Sequence, residues 1–123
     1  MMEHIGIEVT QLNNNSIEAK MPVDFRTHQP LGWLHGGASV VLIESLASIG
    51  SDLLCKEGFF PIGLEINANH IRTVKSGFVT AVAKPIHLGR QTHIWNVDVF
   101  NEDSNKLICT GRITTMIVKK DFE

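Results

Sequence analysis

Glu44 stands inside His35 to Lys56 (HGGASVVLIESLASIGSDLLCK), a stretch that is otherwise apolar or small almost throughout, with Asp52 the other acid in its interior. An ionised carboxylate among Val40, Val41, Ile43, Ala47 and Ser48 has few reasons to be there unless it does chemistry. The same stretch opens with His35-Gly36-Gly37, where the free backbone amides of a helix start can hold an oxygen anion. A base or nucleophile combined with an anion hole suits the transfer of an acyl group to water.

Neighbouring residues sort by position. Ser48 is i+4 from Glu44 and shares its helical face, where its hydroxyl either orients the carboxylate or bonds back to the Glu44 carbonyl. Gly36 offers an amide with no side chain to block an approaching carbonyl, and Gly37 reads as a close-packing glycine. There is no HxxxH, HExxH or Cys/His cluster, so a metal is not expected, and no GxSxG supports a serine nucleophile. The two cysteines, Cys55 and Cys109, fit neither a CxxC motif nor a disulfide framework and read as free thiols.

Composition excludes several classes. With 123 residues, 43% of them apolar, the chain is expected to form one domain, 1–123. A formal charge of −2 gives no support for nucleic-acid binding. The opening residues (MMEHIGIEV) lack the pattern of a secretory leader, and no continuous apolar run of membrane-spanning length is evident. A soluble cytoplasmic protein is the expectation.

These groups need elements to hold them. Ile5 to Leu12 and Ser16 to Met21 read as strands joined by Asn13-Asn14-Asn15. Pro22 to Trp33 is irregular and carries Gln29. A helix is expected over His35 to Lys56, so apolar all round that it must be surrounded by a curled sheet, or by a sheet and a second subunit, with Gly58 ending it. Ile62 to Arg72, Gly77 to Leu88, Gln91 to Asn101 and Leu107 to Val118 read as four further strands. Lys75-Ser76-Gly77, Leu88-Gly89-Arg90 and Asp103-Ser104-Asn105 suit hairpin connections between them. The order β-β-α-β-β-β-β lacks βαβ alternation, so the fold class is α+β, one antiparallel sheet wrapped on one long helix.

With those elements drawn, the chain resembles the hotdog-fold acyl-CoA thioesterases of the phenylacetate-type and hydroxybenzoyl-CoA-type branch. It is most similar to bacterial enzymes that act on 1,4-dihydroxy-2-naphthoyl-CoA and on aryl-loaded carrier proteins. The segments MPVDFRTHQPLGWLHGGASVVLIES, IGLEINANHIRT, AKPIHLGRQTHIWNVDVF and GRITTMIV carry the likeness across residues 19–118. One departure is a start almost at the first strand, without a longer N-terminal helical lead.

The resemblance implies a long helix inside a curved antiparallel sheet, paired into a dimer and usually a tetramer, with active sites between two subunits. It implies Glu44 as the catalytic carboxylate, with Gln29, His35 and Gly36 facing it from the other subunit. Ser48 matches the position that holds water beside the carboxylate, and His70 a position lining the cleft. Glu44 then acts on a thioester either as general base or as nucleophile through a short-lived anhydride. Gly36 N–H and the Gln29 amide polarise the carbonyl. His35 caps the loop, contacts the thioester or protonates the leaving thiolate; positioning wins, because a thiolate hardly needs that proton.

Coenzyme A carries phosphates, and Arg72, Lys84 and Arg90, with His87 behind them and the flexible backbone of Gly89, are the candidates to meet them. Arg72 shares strand parity with His70, which directs both to one face. Trp33, Leu34, Phe59 and Phe60 are candidates for an apolar acyl wall. No cofactor is expected. Full-length similarity points to 1,4-dihydroxy-2-naphthoyl-CoA and so to menaquinone biosynthesis. A medium-chain fatty acyl-CoA hydrolase, a hotdog dehydratase or hydratase, and a noncatalytic acyl-CoA binding protein are the alternatives.

Overall fold

The structure is a computed structural model describing residues 1–13 and 15–120. It opens with a single helical turn, α1 (Met2–Ile5), and a strand, β1 (Glu8–Leu12). The strand expected from Ile5 therefore begins later. Gly6 closes the turn at φ 79°, and a Cβ there would stand 2.7 Å from Pro22 Cγ, so a side chain is excluded by strain and by contact. After β1 come β2 (Ile17–Pro22), the long helix α2 (Gly36–Leu54), β3 (Phe59–His70), β4 (Phe78–Leu88), β5 (Thr92–Asn101) and β6 (Leu107–Lys119). Of the expected first turn, Asn14 lies outside the described residues. Asn13 Oδ1 accepts from the amides of Asn15 and Ser16 at 2.9 and 2.8 Å.

All strand pairs are antiparallel, in the order β1-β2-β4-β5-β6-β3. β4–β5 and β5–β6 are hairpins, as their turn sequences predict. The turn at Lys75-Ser76-Gly77 is not one: β3 pairs with β6, and the chain crosses the sheet before β4. Turn chemistry marks where a strand ends, but the partner is chosen by which edge can be covered.

α2 packs against β2, β3, β4, β5 and β6, so the sheet wraps around it. Ser39, Leu42, Ile43, Leu46, Ala47, Gly50 and Ser51 form its buried side. They meet alternate residues of the strands, among them Ala81, Ala83, Trp95, Val97 and Val99. Gly50 is set by this packing: a Cβ on it would lie 2.6 Å from the Trp95 ring. By length and composition α2 could cross a membrane, with a mean hydropathy of 1.4 over its most apolar window, although Glu44 and Asp52 interrupt it and no continuous apolar run of that length occurs. Here that apolarity faces the sheet.

The opposite side of α2 is not enclosed by this chain. Val40, Val41 and Ser48 are half-buried and Glu44 is exposed, so of the two expected surroundings the chain's own sheet alone does not enclose the helix. The helix also ends earlier than expected, at Leu54 with Cys55 as its C-cap. Gly58, at φ 90°, serves the turn into β3 instead.

Candidate functional site

The start of α2 is built by its own loop. His35 is the N-cap, and its Nδ1 accepts from Gly37 N–H at 2.7 Å, so when the ring is neutral the proton sits on Nε2. The amides of Ala38 and Ser39 reach the His35 carbonyl at 3.0 and 3.4 Å. Gly36 N–H is thereby left without an acceptor among the described residues, at the positive end of a 19-residue helix. Backbone bonds from His35 N–H to the Thr27 carbonyl and from Leu34 N–H to the Val74 carbonyl, both 2.7 Å, pin the segment.

The His70 imidazole packs against the α-carbon of Gly36: a Cβ there would stand 2.9 Å from its Nε2, so glycine at 36 leaves room for that ring. In the same loop, Gln29 Oε1 accepts from the amides of Leu31 and Trp33. Those two donors fix the oxygen end of the side chain inward, and the NH₂ end is what Gln29 can offer a partner.

Glu44 occupies a second location. Its Oε2 lies 2.7 Å from where a Cβ on Gly63 would be, and its carboxylate has no hydrogen bond among the described residues. Gly63 sits at an irregularity of β3: it opposes Thr115, Glu65 opposes Thr114, and Leu64 falls between them. Bulges of this kind re-aim a strand next to functional groups. Glu44 is exposed, so the expectation of a buried acid does not hold within one chain. The residue follows Gly37 and Val41 at helical spacing on the uncovered face of α2. Ser48 comes one turn later on that face, and its hydroxyl makes no hydrogen bond among the described residues, so the back-bond to the Glu44 carbonyl is not made.

Gly36 and Glu44 are eight residues apart on one helix, about 12 Å along its axis. A carbonyl held by the amide of one and attacked from the other needs both within about 3–3.5 Å. One chain therefore does not bring them together. It carries an unpartnered amide at the helix start and an exposed carboxylate in mid-helix, well apart from each other.

The remaining candidates are dispersed. Arg72 lies beyond β3, so strand parity does not apply to it, and its Nη1 donates to the Leu107 carbonyl at 2.7 Å. It shares a shallow surface pocket with His70. Lys84 and His87 are exposed on β4, flanking a second irregularity at Ile86. Gly89 and Arg90 form part of a cavity of about 530 Å³ at the far end of α2, which also takes in Phe59. Gly89 N–H is tied to the Thr92 carbonyl at 2.9 Å, so it is not a spare donor. Trp33 and Leu34 precede the start of α2 while Phe59 and Phe60 follow its end, so within one chain they lie at opposite ends of the helix.

One arrangement escaped sequence reasoning. Ser51, fully buried, accepts from Trp95 Nε1–H at 2.8 Å and bonds His93 Nδ1 at 2.9 Å and Thr115 Oγ1 at 3.0 Å. Burial, and secondarily the charge of His87, lowers the His93 pKa from its ordinary 6.5. The only signal in the sequence is a polar residue at each inward position that meets the helix near Gly50, and inward parity could be assigned only once the sheet was known. Burial also raises the thiols of Cys55 and Cys109, both free as expected.

Comparison with known proteins agrees with this architecture. The model of the Thioesterase superfamily matches residues 31–108. A protein named proofreading thioesterase EntH, from Cronobacter turicensis, is 45% identical over 118 residues, covering 96% of this chain and 85% of that protein. A thioesterase crystal structure from Haemophilus influenzae superposes with a TM-score of 0.94 at 47% identity, over 99% of this chain and 85% of that one. A Staphylococcus aureus thioesterase, solved with a glutamine replaced by alanine, superposes with a TM-score of 0.91 at 40% identity, over 94% and 96% of the two chains. The chain belongs to the thioesterase superfamily, and is a thioester hydrolase on the hotdog fold.

Proposed function

We propose that the chain hydrolyses acyl- or aryl-CoA thioesters at a site shared by two copies, with 1,4-dihydroxy-2-naphthoyl-CoA as the leading substrate. The observation that carries this reading is the separation of two unpartnered groups on one helix, the Gly36 amide and the Glu44 carboxylate. In a symmetric pair each copy supplies the half its neighbour lacks, and a two-fold axis makes two such sites at once. β3, an edge strand with exposed Ile62 and Leu64, is the surface on which a second sheet can continue.

Gly36 N–H and the Gln29 NH₂ hold the thioester oxygen, and His35 fixes the helix start that aims them. Glu44 of the other copy takes a proton from water as the water oxygen bonds to the carbonyl carbon, with Ser48 orienting that water. The tetrahedral oxyanion then collapses and expels coenzyme A as thiolate. In the second form of the step, Glu44 itself bonds to the carbonyl carbon and the anhydride is hydrolysed afterwards. His70 lines the cleft, and Arg90, Arg72, Lys84, His87 and Gly89 are the proposed coenzyme A contacts.

A relative supports this choice of residues. The S. aureus protein has been crystallised with a glutamine and, separately, a glutamate replaced by alanine, fifteen positions apart, the spacing of Gln29 and Glu44. The protein acts as a single domain without cofactor, as a dimer and by resemblance a tetramer, in the cytoplasm. A panel assay with thiol detection tests the reading, comparing 1,4-dihydroxy-2-naphthoyl-CoA, benzoyl-CoA, octanoyl-CoA and an aryl-loaded carrier protein. Highest kcat/KM on the naphthoyl ester is expected. Preference for octanoyl-CoA would assign a medium-chain acyl substrate, and absence of any turnover would leave a binding protein. A single turnover in ¹⁸O-water separates the two forms of the step: label incorporated into Glu44 requires the anhydride.

A further inference from the structure

The loop between β2 and α2 closes on itself, with Gln29 N–H donating to the Trp33 carbonyl and His35 N–H to the Thr27 carbonyl, both at 2.7 Å. What sets it against the rest of the chain is the crossover between β3 and β4, residues 71–77. Near the two ends of the loop, Val23 N–H donates to the Gly77 carbonyl at 2.8 Å and Leu34 N–H to the Val74 carbonyl at 2.7 Å. Between those ends the described residues make one side-chain tie to the crossover: His28 Nε2 stands 2.8 Å from the Lys75 carbonyl oxygen. A carbonyl only accepts, so Nε2 carries the proton. The bond is therefore made whether or not Nδ1 is protonated.

The crossover is itself held. The amides of Ile71 and Arg72 donate to the Ile108 carbonyl of β6 at 2.7 and 3.2 Å, and Val74 is buried in the core. It follows directly on His70, whose ring packs against Gly36. A tie from the crossover to residue 28 thus refers Gln29, one residue along, to the frame that places His70 and the start of α2. Thr27 fastens the preceding position: it is buried, and its Oγ1 donates to the Pro22 carbonyl at 2.8 Å. With both of these residues held, the Gln29 backbone has little freedom, and the amides of Leu31 and Trp33 fix its side-chain oxygen.

We infer that His28 is a positioning residue for hydrolysis: its imidazole fastens the Gln29 loop to the crossover and so aims the Gln29 NH₂ at the thioester oxygen. The inference rests on the proposed part of Gln29 in hydrolysis, but the fastening itself is measured without turnover. Imidazole suits the task, because a flat ring with few torsions carries its donor to the reach of Nε2 and loses little rotamer freedom. Glutamine brings an NH₂ to about the same reach with an extra torsion. Asparagine brings one only as far as Nδ1, short of the Lys75 carbonyl. Filling the space and making the bond are therefore separable by substitution.

On one aryl-CoA ester, His28→Ala should lower kcat about tenfold and change KM less than about twofold, because a misaimed donor is felt in the transition state. His28→Gln is expected to return kcat to within about threefold of the unmutated protein, and His28→Asn to stay with the alanine variant. On a Gln29→Ala background, His28→Ala should lower kcat by less than about twofold more, since the fastening has no amide left to aim. Amide hydrogen exchange followed by NMR supplies the arm that needs no turnover. His28→Ala should speed exchange at Gln29, Trp33 and Leu34 about tenfold, and His28→Gln much less, while Ile71, tied to β6, keeps its rate. Equal recovery by Asn and Gln, a full tenfold loss on the Gln29→Ala background, or unchanged exchange at those three amides would each overturn the inference. If Gln29→Ala alone keeps full activity while exchange still responds to His28, the fastening stands and the fault lies with the part given to Gln29.

Discussion

Oε2 of Glu44 lies 2.7 Å from the point that a Cβ on Gly63 would occupy. The carboxylate rests on bare backbone at an irregularity of β3. Ala at 63 would meet the end of a flexible, exposed side chain that can swing away. We expect Gly63→Ala to fold with stability changed by no more than about 0.5 kcal/mol. With Glu44 in the proposed role, moving the carboxylate by about 1 Å should lower kcat about 10²-fold with KM little changed. Thermal melts and steady-state kinetics on one CoA ester check both halves, and an unchanged kcat would remove Gly63 from the account of the site.

Glu44→Gln keeps the shape and removes the carboxylate proposed as base or nucleophile. Hydrolysis should fall by about 10³-fold or more while substrate binding survives. Calorimetric binding of an intact aryl-CoA to this variant, alongside a thiol-release assay, is the measurement. Retained turnover would transfer the chemistry to another residue.

A shared site makes a sharper demand. Glu44→Gln and Gln29→Ala proteins should each be nearly inactive alone. Unfolded together and refolded, half the dimers are mixed, and each mixed dimer holds one intact site. About a quarter of unmutated activity should therefore return if the two groups act across a two-fold axis. No recovery, with mixed dimers verified by mass, would place both groups in one chain.

Ser51 joins α2 to β5 and β6 through three hydrogen bonds in a fully buried location. Replacing it by Ala takes the Ser51 partner from the indole N–H of Trp95, from His93 Nδ1 and from Thr115 Oγ1. A loss of about 2–4 kcal/mol is expected, read by urea unfolding. Ser51→Cys, with a weaker acceptor in the same space, should fall between.

His93 gives stability a pH dependence of known sign. Its pKa is lowered on folding, chiefly by burial, so below about 6.5 the unfolded chain binds the proton more readily than the folded one. The contribution of the neutral ring is complete above that pH and declines as pH falls toward the folded pKa. Unfolding free energies measured from pH 8 to pH 5 should decline in the unmutated protein, and His93→Gln should flatten that part of the curve.

Much of this was legible in the residues. The existence of the long helix, the order of elements along the chain and the shared helical face of Glu44 and Ser48 follow from periodicity, which depends on local geometry alone. The helix end does not: it falls at Leu54, two residues before Lys56. The His35-Gly36-Gly37 start could be read because an N-cap is fixed within four residues, and the structure adds that the His35 imidazole itself makes the cap. The partner of β3 could not be read. Lys75-Ser76-Gly77 carries hairpin chemistry, yet β3 lies beside β6, because strand pairing is decided by which arrangement buries the most apolar surface around α2. The contact of Glu44 with Gly63 and the knot at Ser51 depend on that choice, since each joins positions far apart in the chain. Glu44 also reads as buried from its apolar neighbours, and the tertiary structure leaves it exposed. A helix apolar on every side states that all its faces want covering; only the wrapped sheet reveals which face this chain covers and which it leaves open.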